Sequence, residues 1–188
     1  MKFRPGLFND CSAKEMVERH WTAMAERLLQ IGGVDAVQPD GDTQIAKVLE
    51  RGLLHEGKVV RLLGEPNQCH ANASRVWIKS DGEALLCTGY ALTENQSWLQ
   101  HSWCVSTVED HGQVILETTD PDWKKYFGVV LDEEESFVFA MANIKPKERL
   151  EDVFAESPRM AERLGEILAS QMGLPPGGDA VGDSHGVA

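Results

Sequence analysis

Apolar residues first recur along the chain at helical spacing. Val17, Trp21, Met24, Leu28 and Ile31 step by 4, 3, 4 and 3 residues, one face of an α-helix. Ser12 and Glu15 precede the stripe in the form of a capping box, and Gly32-Gly33 ends it. His20 falls beside the stripe and reads as a structural residue. The loop VDAVQPDGD leads to a second short helix, with Asp42 as N-cap and Ile45, Val48 and Leu49 facing inward. Val59 to Leu63 is a short apolar run with strand character. GEPNQ then breaks the pattern with Gly, Pro and Asn. Cys69 to Lys79 reads as a helix ended by Asp81-Gly82, which places Cys69 in or near its first turn.

From Glu83 the period changes to two. Ala84–Leu92, Trp98–Val108, Gln113–Thr118 and Tyr126–Leu131 read as strands. Asp110-His111-Gly112 marks a turn between the second and third of these. Their close spacing favours an antiparallel meander. The segment after Asp132 supports two readings. Asp132-Glu133-Glu134-Glu135 suits a helix N-terminus, whereas Phe137, Phe139 and Met141 alternate as in a strand. Ser157-Pro158 opens a last helix with Met160, Leu164, Ile167 and Leu168 on one face, closed by Gly173. The expectation is one α+β domain over 1–173: N-terminal helices, a central helix carrying Cys69 on an antiparallel sheet, and a C-terminal helix. The tail 174–188 has little to bury and is expected to be disordered.

Charge removes several function classes. The chain of 188 residues carries a net charge of −12, which disfavours nucleic acid and anionic membrane surfaces as partners. No stretch reaches the roughly 20 apolar residues that span a bilayer. The N-terminus lacks the pattern of a secretory signal, so a cytoplasmic location with reduced thiols is expected for Cys11, Cys69, Cys87 and Cys104.

A thiol needs ionising before it is a good nucleophile, and a helix N-terminus and a nearby imidazole both promote that. Cys69 has the first by position, and His101 can supply the second. Glu117 or Asp120 can hold the imidazole in its useful tautomer. Asn67 or Gln68, with the Cys69 backbone N–H, are candidate oxyanion donors. His101-x-x-Cys104 with Cys69-His70 also raises zinc, but strand alternation sends His101 and Cys104 to opposite faces, so no metal and no cofactor is expected. Cys11 and Cys87 read as structural. A four-residue loop, Glu109 to Gly112, would pair Val108 with Gln113, setting Asp120 opposite His101 and Glu117 opposite Cys104. A longer or bulged turn would slide Glu117 toward the imidazole.

The segment HSWCVSTVEDHGQVILETT resembles the His-x-Trp … Gly … Asp-Pro-Thr signature of transglutaminase-like proteins, in the papain-like cysteine peptidase superfamily. The resemblance spans about Gly64 to Leu131. It implies Cys69 as nucleophile, His101 as base, Glu117 as orienting acid, and Trp103 as the aromatic residue at the substrate. Two features depart from the family pattern: the acid is Glu in place of Asp, and the cysteine sits in QCHANA with no Gly-x-Cys-Trp run. The function so implied is thiol-dependent acyl chemistry on a protein, peptide or small amide: hydrolysis, deamidation or transfer. The rival readings are a non-catalytic binding protein on the same scaffold, or an effector that modifies a host protein.

Overall fold

The computed structural model of the protein describes residues 10–41, 44–108, 112–119, 122–144, 157–159, 162 and 166. The architecture is α+β. In chain order the elements are α1 (Asp10–Ile31), β1 (Asp35–Ala36), α2 (Ile45–Arg51), β2 (Leu53–His55), β3 (Lys58–Arg61), α3 (Cys69–Lys79), β4 (Leu85–Leu92), β5 (Ser97–Val108), β6 (Gly112–Glu117), β7 (Lys125–Val130) and α4 (Glu133–Asn143). The strands form one sheet in the order β2-β7-β4-β5-β6-β3, with β1 paired to β5. Among the described residues, no helix is long and apolar enough to cross a membrane.

The sheet is strongly curled. β2 and β3 stand at opposite ends of the order, yet Glu56-Gly57 alone joins them. Three Cα steps reach at most about 11 Å, so the two edges must come close together. The His55 ring on β2 lies 5.4 Å from the Trp103 ring on β5. In a flat sheet those strands would stand three spacings apart, about 14 Å. Gly89 and Gly128 face each other inside the curl. A Cβ on Gly128 would meet Thr88 O at 2.4 Å and the Trp103 ring at 2.7 Å.

The curl divides the core in two. On the convex face, Met24, Leu28, Val48, Trp77 and Phe137 of the helices pack on Leu86, Tyr90, Trp98, Cys104 and Phe127 of the sheet. Inside, Cys87, Ala91, Trp103, Val105, Ile115 and Tyr126 form a second cluster. Site residues come from both: α3 lies on the convex face, and His101, Trp103 and Glu117 point inward.

Several expectations need correction. The strands do not run as a simple meander. β7 returns to pair with β4, and β3 occupies the outer edge of β6 in parallel, as β1 does on β5. The three-residue β2 had no pattern of its own to read, since Leu53 and Leu54 are exposed. α1 begins at Asp10, so Ser12 lies within the helix and not at its N-cap. Val17 is exposed, which leaves Met24 and Leu28 as the buried heart of that stripe. Gln44, not Asp42, takes the N-cap position of α2. The open segment after Asp132 is the helix α4: Asp132 and Glu135 form a reciprocal capping box. Residues 158, 159, 162 and 166 are helical after Ser157, whose hydroxyl donates to Ile78 O at 2.6 Å. Met160, Leu164, Ile167, Leu168, Gly173 and the tail 174–188 lie outside the described residues.

Candidate active site

The position of Glu117 follows from one residue of register. The β5–β6 ladder pairs Val108 with Gly112, not with Gln113, and continues to Cys104–Leu116. The loop therefore has three residues, and Gly112 closes it at φ 67°, a left-handed conformation that glycine adopts without strain. A shift of one residue exchanges the two faces of a strand. Glu117 thus joins Trp103 and His101 on the inner face, while Leu116 faces Cys104. No bulge is needed. Asp120, the alternative acid, lies outside the described residues.

His101 Nε2 is 2.9 Å and 3.1 Å from the two carboxylate oxygens of Glu117, and both side chains are buried. Glu117 accepts three further hydrogen bonds: from the Thr119 backbone N–H and hydroxyl, each at 2.8 Å, and from the Tyr126 hydroxyl at 3.0 Å. Burial is the largest influence on the carboxyl and disfavours its charge. His101 and the Thr119 donors outweigh it, so Glu117 is held below the usual carboxylate range. Tyr126 is pushed the other way, by burial and then by the Glu117 charge, and stays a protonated donor.

Cys69 is the first residue of α3, as its sequence context suggests. The loop before it is held by Asn72, one turn into the same helix. The Asn72 amide donates to Glu65 O at 2.8 Å and its carbonyl oxygen accepts from Glu65 N–H at 3.1 Å. Gly64 leaves room for this clasp; a Cβ there would sit 2.5 Å from the Asn72 amide carbon. With the loop fixed, the thiol hydrogen-bonds the imidazoles of both His101 and His70. Burial pushes the thiol pKa up and is the largest single influence. The hydrogen bonds and charges of His101 and His70 together overcome it and hold the thiol down to about 5. Burial likewise favours neutral His101, but bonds to Cys69 and Glu117 raise it to about 9. The resting pair is a thiolate and an imidazolium. Glu117 occupies Nε2 of His101, which leaves Nδ1 for the sulfur.

A cleft of about 690 Å³ opens over this pair. Its walls include Leu63, Pro66, Leu99 and Trp123, with Asn67 and Gln100 as polar members. Trp103, expected at the substrate, is wholly buried instead. It stacks beneath His101 at 6.1 Å, because its strand position points into the curl. Trp123 is the aromatic residue at the cleft, 4.6 Å from the His101 ring. Of the two oxyanion candidates, Asn67 lines the cleft in a left-handed conformation at φ 58°, and Gln68 is not among the cleft residues.

Four contributors went unread in the sequence. Tyr126 was read only as the first residue of a strand, and Thr119 and Trp123 lie between β6 and β7, where local pattern does not reveal the path. His70 was read only with Cys69 in the zinc set that strand alternation disfavoured. Its Nδ1 sits 2.7 Å from Ser102 Oγ, which in turn donates to Thr88 Oγ1 at 3.0 Å. Cys87 and Cys104 are buried free thiols, and burial pushes both well above the ordinary thiol range. Cys104 donates to Ala73 O on α3, on the face opposite His101. Among the described residues, no three His, Cys, Asp or Glu side chains are grouped to hold a metal ion.

No family model, curated protein or solved structure matches the chain.

Proposed function

We propose that the protein performs thiol-dependent acyl chemistry through Cys69, His101 and Glu117. The observation that carries this reading is the unbroken line from thiol to imidazole to buried carboxylate, opening on a cleft at a helix start. Structural cysteines and histidines have no need of such an arrangement; an ionised thiol costs burial energy that only a purpose-built partner offsets. The Cys69 thiolate attacks the carbonyl carbon of an amide or ester. His101 gives its Nδ1 proton to the leaving amine or alcohol, and Glu117 holds the ring throughout. Water or an amine then resolves the thioester, with His101 as base. The resemblance of the His101–Glu117 segment to transglutaminase-like, papain-like proteins supports the same chemistry and the same chain order of nucleophile, base and acid.

The apolar walls Leu63, Pro66, Leu99 and Trp123 suit an amide flanked by apolar groups, in a peptide or a protein side chain. The test is acylation of the protein by a panel of N-acyl 4-nitroanilides and p-nitrophenyl esters, followed by mass spectrometry. An acyl adduct on Cys69, absent in Cys69→Ala, is the expected result. A panel that leaves Cys69 unmodified while iodoacetamide labels it freely would favour the binding-protein reading.

A further inference from the structure

The oxyanion has no assigned counter-charge in the site as described so far, and His70 is placed to supply it. Its ring is clamped. Nδ1 meets Ser102 Oγ at 2.7 Å, and Phe139 lies edge-on at 5.5 Å. Ser102 and Thr88 are both buried in the sheet face under α3. Because Ser102 spends its proton on Thr88, its lone pairs face Nδ1 and fix that nitrogen as N–H. Nε2 is then left for Cys69 and Gln100, the ring's remaining hydrogen-bond partners. Gln100 lines the cleft itself.

Charge balance gives this second ring its role. Thiolate, His101 imidazolium and Glu117 carboxylate together carry one net negative charge in a buried place. Uncompensated charge there is costly. A protonated His70 makes the group neutral. It also keeps it neutral through the reaction: the charge that leaves sulfur on attack appears on the carbonyl oxygen.

Resting on the acyl-transfer reading above, we propose that His70, as an imidazolium, is the catalytic donor that follows the negative charge from the Cys69 sulfur to the substrate oxyanion. In the step itself, sulfur bonds to the carbonyl carbon and the C=O π pair moves to oxygen, beside the His70 Nε2–H. That pair then reforms C=O as the bond to the leaving group breaks, and the leaving group takes its proton from His101. His70 keeps its own proton throughout. The groups facing it are Cys69 on its own helix, Gln100, His101 and Ser102 on β5, Thr88 on β4 and Phe139 on α4, with Glu117 behind His101. Burial, the largest influence, and the charge of His101 oppose the protonated ring; the bond and charge of Cys69 and the bond to Gln100 outweigh them and raise His70 above the ordinary imidazole value.

Two reactions of the same thiolate separate this role from simple thiol activation. Alkylation by iodoacetamide attacks an sp³ carbon and forms no oxyanion, whereas acylation by p-nitrophenyl acetate does. The ratio of the two rates at one pH cancels the thiolate fraction. In His70→Asn, which keeps an amide for Ser102 but nothing at Nε2, the acylation-to-alkylation ratio should fall about 100-fold, the usual loss for one oxyanion donor. His70→Gln, which restores a neutral N–H near the Nε2 position, should recover part of it. Ser102→Ala, with the ring intact but unclamped, should lower the ratio less than His70→Asn. An unchanged ratio in His70→Asn and Ser102→Ala overturns the proposal and leaves the Cys69–His101–Glu117 reading standing. Absence of any acetyl adduct on wild-type Cys69 removes both.

Discussion

At Cys69 the competition between burial and charge sets the reactivity. Two imidazoles win against desolvation and leave a thiol that ionises at about pH 5. A depressed acid pKa means that the thiolate is present above that pH and is lost as pH falls through it. Iodoacetamide labelling, followed by peptide mapping, should therefore climb through about pH 5 at Cys69. Cys87 and Cys104 should stay unlabelled in the native protein, since burial raises their pKa values. His101→Ala should move the Cys69 midpoint up by more than one unit, toward the ordinary value of about 8.5. The acid is a matter of one hydrogen-bond acceptor. Glu117→Gln leaves His101 without its counter-charge, so the thiol midpoint should rise and turnover should fall by up to about 10,000-fold. Asp120→Asn should change either by less than threefold. Tyr126→Phe removes one of the donors to Glu117 and should be the milder of the two changes at the carboxylate. A pH profile shifted by Asp120→Asn and untouched by Glu117→Gln would reverse the assignment. Cys69 and His101 announced themselves in the sequence through context, a cysteine after a polar loop and a histidine on an alternating strand. His70 did not, because nothing local says that Ser102 lies under its helix.

Among the elements, the helix α3 and the loop before it show how local pattern and tertiary contact divide the work. The bounds Cys69–Lys79 were legible from composition and the Asp81-Gly82 stop. The clasp between Asn72 and Glu65 was not, since an asparagine in a helix has no local signature for a bond to a preceding loop. Asn72 is buried, and its amide also approaches Thr118 O at 3.4 Å, tying the Cys69 loop to the end of β6. Asn72→Ala leaves two backbone groups of Glu65 without these partners and should cost about 1–3 kcal/mol. That corresponds to a fall in melting temperature of about 3–10 °C, measurable by circular dichroism. Alkylation of Cys69 should slow in the same variant even below the transition, because the loop sets where the thiol sits. A variant that melts lower with unchanged Cys69 kinetics would show the clasp to be structural alone. The β5–β6 hairpin is the converse case. Both strands were legible, but their register was not. A three-residue loop closed by left-handed Gly112 and a four-residue loop read alike in sequence, and they place Glu117 on opposite faces.

Across the whole molecule, the site exists because the sheet curls. A flat sheet would hold His101, Glu117 and Tyr126 in a row open to solvent. The curl turns them inward against Trp103, and the cleft over the thiol–imidazole pair opens beside the Cys69 loop. Short-range period gives strands but no strand order. β7 pairs with β4 and not with its neighbour in sequence, and β2 and β3 come from opposite edges to share a two-residue turn. What permits the tight curvature is a pair of glycines at the centre of the sheet. Gly89 stands beside His101 on one side and Gly128 on the other. A methyl group on Gly128 meets the Thr88 carbonyl and the Trp103 ring at distances no real Cβ adopts. Neither neighbour can retreat: Thr88 holds Ser102, and Trp103 packs beneath His101. Gly128→Ala should therefore destabilise the fold by about 1–3 kcal/mol, the usual cost of overpacking, read as a lower urea midpoint. Its effect should extend to the chemistry, because relief of the clash opens the curl and separates the β4–β5 pair that places His101. The Cys69 alkylation midpoint in Gly128→Ala should move upward in native buffer, well below the urea transition. Gly41→Ala, at a positive-φ glycine with nothing within 4 Å of its added Cβ, is the control: it strains its own backbone without a packing clash and should leave that midpoint where it is.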